Sequence, residues 1–226
     1  MNKLKLNYTS LSFLPILVCI PLGYQLITNI HFGGFKLFQE FLISAFNPKI
    51  DNEIIITVIN RLNETILIGF FSWLVSIIFG AIFGILSSNI FYKIFNIPIF
   101  FYGIIRVFLT IARSIHEVVW GILLMQIYGI NFSVGIIAIS IPYIAVNSKV
   151  FAEQIETIDY KSFECINQIN APKFSSLLTL IWNPIIKTFK NFGFYRLECS
   201  IRSAVILGLF GIGGIGTSIF LSFQTL

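Results

Sequence analysis

Four stretches of this sequence run without a single charged side chain: residues 6–30, 65–92, 118–148 and 203–226. A helix needs about 20 predominantly apolar residues to cross the ~30 Å hydrocarbon core of a bilayer. Of the 226 residues 56% are hydrophobic, 25 are Phe, and 11% are charged; soluble domains carry about 25% charge. That much apolar surface has no place to hide inside a chain of this length. The expected fold class is therefore all-α, a polytopic transmembrane helix bundle held in a lipid bilayer.

The rest of the composition excludes more than it suggests. The net charge of +5 is scattered rather than clustered, so no nucleic acid partner is implied. Cys19, Cys165 and Cys199 show no CxxC spacing, which argues against a disulfide framework or a zinc site. His31 and His116 stand alone, without a second metal ligand. No G-x-x-x-x-G-K-[ST] occurs, because Lys161-Ser162 and Lys187-Thr188 both lack the preceding glycine. A chain without that phosphate cradle has no P-loop to hydrolyse ATP with, and its energy must come from a partner. No nucleophile–base constellation is visible, and the reading is of a non-enzyme without its own cofactor.

Taken in order, residues 6–30 form a first span, too long for the about 7–15 apolar residues of a signal peptide. Residues 31–63 are mixed, with Gly33-Gly34, Pro48 and several charges, and read as an external loop with a short interfacial helix. The chain accordingly divides into residues 1–63, a transmembrane helix plus external loop, and 64–226, the main transmembrane domain. Residues 65–92 make the second span, in which Gly80 and Gly84 form a small-xxx-small pair suited to close helix packing. Residues 93–113, broken by Pro98, Arg106 and Arg113, read as a short helix leading into the membrane. The uncharged run 118–148 would rise ~46 Å as one helix, more than a bilayer core, so it splits near Tyr128-Gly129-Ile130-Asn131. The third span then begins near Ser114, and Pro142 kinks the fourth.

Residues 151–184 are the long polar interruption, with Glu153, Glu156, Asp159, Lys161, Glu164 and Lys173. They read as two short helices broken at Asn170-Ala171-Pro172, since proline suits the first turn of a helix and resists its middle. Basic residues orient the whole. With the N-terminus inside, Lys3, Lys5, Lys93, Arg106, Arg113, Lys149, Lys161, Lys173, Lys187 and Lys190 fall on the cytoplasmic side, against Lys36, Lys49 and Arg61 outside. The positive-inside rule thus places the 151–184 loop in the cytoplasm of a multi-pass plasma (inner) membrane protein.

Three segments resemble a known family. Glu164-Cys165-Ile166, then Asn170 and Pro184, resemble the "EAA…G…LP" loop of binding-protein-dependent ABC importer permeases, with Asn170 in place of the glycine. Asparagine tolerates the left-handed conformation better than other non-glycine residues. Residues 113–120, RSIHEVVW, resemble the "RSIPE-VW" segment of phosphonate-type permeases, His116 standing for proline. Residues 195–216, YRLECSIRSAVILGLFGIGGIG, resemble that family's "YRWE-N-RAS-VLGLVGAGGIG" in register. The resemblance covers about residues 60–216 and implies a type I importer permease of about five spans. It also implies that the family's final helix, which follows the glycine turn, is missing here.

What the resemblance implies about function is specific. The expected partners are two ABC ATPase subunits, a second copy of the chain in a homodimer, and a periplasmic substrate-binding protein. ATP is bound by the ATPase, not by this chain. Glu164, Cys165, Asn170, Ala171 and Pro184 belong to the loop that docks on the ATPase. Arg196, Glu198, Arg202 and Ser203 are candidates for the pathway of phosphonate, phosphite or phosphate. Gly211, Gly213, Gly214 and Gly216 form a turn at the outer gate.

On the residues alone two readings of residues 196–202 stay open. Glu198 and Arg202, at i and i+4, can simply pair, or the guanidinium of Arg196 or Arg202 can line the route of an oxyanion, for which its forked donors suit it. The end of the chain is similarly double. Hydropathy alone makes 203–226 the last span, whereas the resemblance places the fifth span at 184–207. The alternative functions are a permease for another small solute such as an amino acid, and a secondary transporter. The latter predicts internal inverted repeats, and none is visible.

Overall fold

The computed structural model describes residues 19–21, 23–25, 32–46, 51–159, 161–162, 165 and 172–224. The first expected span, 6–30, falls almost wholly outside them; residues 19–21 and 23–25 are helical. The chain divides into two compact units, Met1–Asp51 and Asn52–Leu226. The first contains helix α1 (Phe32–Phe46), which occupies part of the region read from sequence as an external loop.

The second unit opens with α2 (Asn52–Leu86), 35 residues long. It begins well before the uncharged run at 65, so the boundary drawn at the last charge is corrected. The reason is local: Arg61 Nη1 and Glu64 Oε2 pair at 2.9 Å across one helical turn, so both charges are accommodated on the helix. It ends where Ser87 and Ser88 turn their hydroxyls back onto the carbonyls of Gly84 and Ile85, at 3.3 and 2.8 Å. A short α3 (Asn89–Phe95) follows and stops at Asn96 in the left-handed conformation, φ 54°. Asparagine takes that conformation at low cost. Pro98 then precedes α4 (Ile99–Ser114).

Between α4 and α5 (Glu117–Tyr128) the chain bends by 90°. The third span expected to start near Ser114 corresponds to α5, which begins at Glu117 and is set at 90° to α4. Ile115 is extended and His116 caps α5, its ring accepting from Val118 N at 3.4 Å. With 12 residues α5 rises about 18 Å at ~1.5 Å per residue, short of a bilayer core. The break expected at 128–131 is present: Gly129 has φ 75°, and α6 (Phe132–Glu156) starts after Asn131. Residues 151–156 belong to this long helix and not to a separate short one. After the polar segment come α7 (Lys173–Thr188), entered through Pro172, a five-residue π turn (Phe189–Gly193) and α8 (Phe194–Leu209). A glycine turn leads into α9 (Ile215–Gln224).

Among the described residues α2 and α6 are long and apolar enough to cross a membrane, and the bent pair α4–α5 adds a third broken span or a re-entrant loop. The segment expected as a fifth span, 184–207, is the end of α7, the π turn and α8. Lys187, Lys190, Arg196, Glu198 and Arg202 leave it without a long apolar window.

In lipid, helices gain little from hiding apolar surface from one another, so close approach must supply the attraction. The α2–α6 contact, the most extensive in the fold, is built on that principle. A Cβ at Gly80 would lie 2.6 Å from Asn147 Cβ, and one at Gly84 would lie 2.6 Å from Phe151 Cβ. The small-xxx-small reading of that pair holds. Ser72 and Ser76 continue the stripe; Asn147 Nδ2 donates to Ser76 Oγ at 3.2 Å, and Ser140 Oγ donates to Ser72 O at 3.3 Å. One apolar core joins α2, α6, α8 and the glycine turn through Ile68, Ala138, Ile139, Leu207 and Ile212. A second joins α3, α6 and α7 through Ile90, Ile94, Ile155, Leu177 and Ile181, closing the base of the polar segment. The indole of Trp73 on α2 donates to Gly193 O at 2.7 Å, satisfying a carbonyl in the π turn.

Candidate functional site: an arginine-lined cleft

The bend between α4 and α5 has a consequence for charge. It turns Arg113, His116 and Glu117 toward α6 and α8, where they form an open cleft of about 430 Å³ with Tyr143, Arg196 and Arg202. Three guanidinium groups from two distant parts of the sequence meet there, with Glu117 as the acidic group in the wall.

Their partners differ. Arg202 Nη2 pairs with Glu198 Oε1 at 2.8 Å, and both side chains are about two-thirds exposed at 67% and 66%. An i,i+4 pair so open contributes only about 0.3–0.5 kcal/mol, so Arg202 is easily released from it. Arg196 stacks its guanidinium 4.0 Å above the Tyr143 ring, and its Nε is buried without a hydrogen-bond partner. Neither Arg196 nor Arg113 has an ion-pair partner among the described residues. Charges in a membrane helix cost about 2.5–3.5 kcal/mol each near its centre. Two half-buried arginines without counter-ions point to a charge that arrives from outside the chain.

A hydrogen-bonded chain holds the wall in place. Ser203 Oγ donates to Glu117 Oε1 at 2.7 Å. Tyr143 Oη lies 2.8 Å from the same Ser203 oxygen. Because the Ser203 proton is committed to the carboxylate, Tyr143 is the donor. Glu117 Oε2 is 3.6 Å from His116 Nε2, beyond hydrogen-bond range. This relay ties α5, α6 and α8 together and fixes the ring on which Arg196 rests. The cleft is thus suited to holding a compact anion through forked donors.

Of the residues singled out from sequence, Arg196, Arg202 and Ser203 line the cleft, while Glu198 sits beside it as the partner of Arg202. The i,i+4 pairing expected for Glu198 and Arg202 is present. The glycines lie at the far end of α8: Gly211, Gly213 and Gly214 have φ of 97°, 119° and 80°, and Gly216 is in the first turn of α9. Side chains rarely adopt such values, so glycine is required at that turn. The turn is tethered to α2, Gly214 N donating to Glu64 Oε2 at 3.0 Å and Ile215 N to Thr65 Oγ1 at 2.8 Å. In the polar loop Glu164, Asn170 and Ala171 lie outside the described residues. Cys165 is exposed, and Pro184 lies inside α7, where its carbonyl accepts from Thr188 Oγ1 at 2.8 Å.

The sequence reading missed Arg113, Glu117, Tyr143 and Glu64 as site residues. Arg113 and Glu117 did carry a signal, since they stand within the RSIHEVVW segment. Tyr143 and Glu64 carried none, because their partners are 60 and 150 residues away.

These features define a helical membrane protein with a cation-lined cleft among its long helices. A putative cryptic phosphonate transport system permease protein of Escherichia coli K12 is 30% identical over 84 residues, 37% of this chain and 69% of that relative. The phosphite transport system permease protein of Stutzerimonas stutzeri is 30% identical over 115 residues, 51% of this chain and 42% of the relative. The phosphate-import permease protein of Mycolicibacterium smegmatis is 27% identical over 114 residues, 50% of this chain and 21% of the relative. This chain belongs to the phosphonate-type family of ABC importer permeases. It spans less than half the length of the phosphite and phosphate relatives. No family model and no solved structure matches it.

Proposed function

We propose that this chain is a transmembrane permease subunit of an ABC importer for phosphonate or a related oxyanion, phosphite or phosphate, with the Arg113–Arg196–Arg202 cleft on the solute's route. The observation that carries this reading is the convergence of three guanidiniums, two without an ion-pair partner among the described residues, in one cleft between the long helices. Tetrahedral oxyanions offer paired oxygens to forked N–H donors, and arginine keeps its charge in a dry setting. The names of the relatives, with phosphite, phosphate and phosphonate as their cargo, point the same way.

The partners would be an ABC ATPase, a substrate-binding protein and a second copy of the chain. The 151–184 segment would face the cytoplasm and dock on the ATPase through Glu164, Cys165, Asn170, Ala171 and Pro184. Its base packs on α3, so a pull on the loop would reach the lower ends of α2 and α4. Cells expressing the chain with its ATPase and binding protein are assayed for uptake of labelled phosphite, phosphate and methylphosphonate. Arg196→Gln and Arg202→Gln should each reduce uptake at least about tenfold while the complex still assembles, the loss of one charge-assisted contact being worth ~1.5–3 kcal/mol. Unchanged uptake would refute the route. Recovery of the ATPase with a Glu164→Arg chain equal to wild type would refute the docking role.

A further inference from the structure

A second, smaller cavity lies next to the cleft, between the end of α2, the middle of α4 and the lower half of α6. Its volume is about 100 Å³, and Ser87, Arg106, Thr110, Arg113, Lys149 and Glu153 line it. Arg113 lines both cavities. Along α6 the small cavity is displaced from Tyr143 toward Lys149, six residues or roughly 9 Å at ~1.5 Å per residue, in the direction of the 151–184 segment.

The charges around it are unequal in a telling way. Arg106 is locked: Nη2 meets Glu156 Oε1 at 2.8 Å, Nε donates to Ser87 O at 3.1 Å, and the guanidinium lies 4.4 Å over the Tyr102 ring. The same Glu156 oxygen accepts from Asn89 N at 3.1 Å. Lys149 is loosely held, 3.5 Å from Glu153, and both are more than half exposed at 54% and 56%. Arg113 is half-buried with no ion-pair partner among the described residues. Glu156 balances Arg106 and Glu153 balances Lys149, which leaves the Arg113 charge unmatched. Thr110 spends its proton on Arg106 O at 2.7 Å and offers only lone pairs.

We infer that this small cavity is a second binding station for the same tetrahedral oxyanion, with Arg113 as the guanidinium shared between it and the cleft. The inference rests on the oxyanion-permease reading and extends it to a named second site. A planar guanidinium has two donor edges, so Arg113 can hold one ion from either side and hand it across without releasing it to lipid. Lys149, more than half exposed, completes the small site as a point charge. Phosphate chemistry is common to free phosphate and to lipid headgroups, and the inference commits to the free ion.

The test uses the purified full chain in detergent, with inorganic phosphate as the probe and phosphorus NMR titration as the readout. Wild type should bind phosphate in two classes of site. Lys149→Gln should weaken one class about tenfold, ~1.4 kcal/mol, and Arg202→Gln the other. Arg113→Gln should weaken both, and Arg113→Lys should recover part of each. Wild-type binding by Lys149→Gln, or an Arg113→Gln effect on one class alone, would overturn the inference. So would a small site filled by short-chain phosphatidylglycerol that phosphate fails to displace. If Lys149→Gln weakens binding and Arg202→Gln does not, the small site stands and the cleft loses its place on the route, which separates the two readings.

Discussion

Ser203 is the sharpest place to test the cleft wall. Its hydroxyl touches both Tyr143 and Glu117, so Ser203→Ala deletes two hydrogen bonds with one atom. It leaves a tyrosine hydroxyl and a carboxylate oxygen orphaned in a poorly solvated wall, the Glu117 side chain being 14% exposed. Hydrogen bonds to charged groups contribute about 1.5–3 kcal/mol in soluble proteins, but couplings within membranes average ~0.6 and reach ~1.7 kcal/mol. Taking the membrane values for the two bonds together gives a loss of about 1–3 kcal/mol. Tyr143→Phe removes the neutral bond alone and should lose about 0.6 kcal/mol. The assay is reversible unfolding in mixed detergent micelles, run as a double-mutant cycle. The double variant should lose less than the sum of the singles by about 0.6 kcal/mol, the coupling through the shared oxygen. Strict additivity, or a Ser203→Ala loss no larger than that of Tyr143→Phe, would refute the relay.

Four further outcomes follow from the packing. Gly80→Ala puts a methyl 2.6 Å from Asn147 Cβ, and the overpacking should destabilise the chain by about 1–3 kcal/mol in the same assay. Gly103→Ala, with open space around it, should be neutral or slightly stabilising, since alanine is favoured over glycine in a helix by up to about 1 kcal/mol. Gly214→Ala forces a side chain into φ 80°, a loss of at least about 1–2 kcal/mol; hydrogen exchange at Ile215 should rise as its bond to Thr65 is lost. Trp73→Phe removes the indole bond to Gly193 O and should cost about 0.5–1.5 kcal/mol, with near-ultraviolet circular dichroism confirming that the remaining fold is retained.

Much of this architecture is legible in the residues because its causes are local. Gly80 and Gly84 recur at the spacing of one helix face, and the structure uses them for close contact with α6. The split at 128–131 follows from the length of a bilayer, and Gly129 makes the turn. Glu198 and Arg202 pair because a helix brings i and i+4 together. The start of α2 was less legible, since Arg61 and Glu64 look like loop charges until they neutralise one another. A boundary near Ser114 was legible, but its 90° bend was hidden, because neither Ile115 nor His116 is a conventional helix breaker; His116 acts as a cap through its ring nitrogen. The cleft depends on Arg113 meeting Arg196 and Arg202 from across the chain, and no pattern of spacing encodes such a meeting.

The π turn at Phe189–Gly193 holds one residue more per loop of backbone than an α-helix would. An α-helix advances about 100° per residue at 3.6 residues per turn. Deleting one residue there would let an ordinary turn replace the wide one, leaving everything beyond it close to its present phase. Arg196 and Ser203 would still face Tyr143. The wide turn is thus a slack link that can give up one residue and keep the cleft, whereas the same loss inside α8, between Arg196 and Ser203, would turn one away from the other by about 100°.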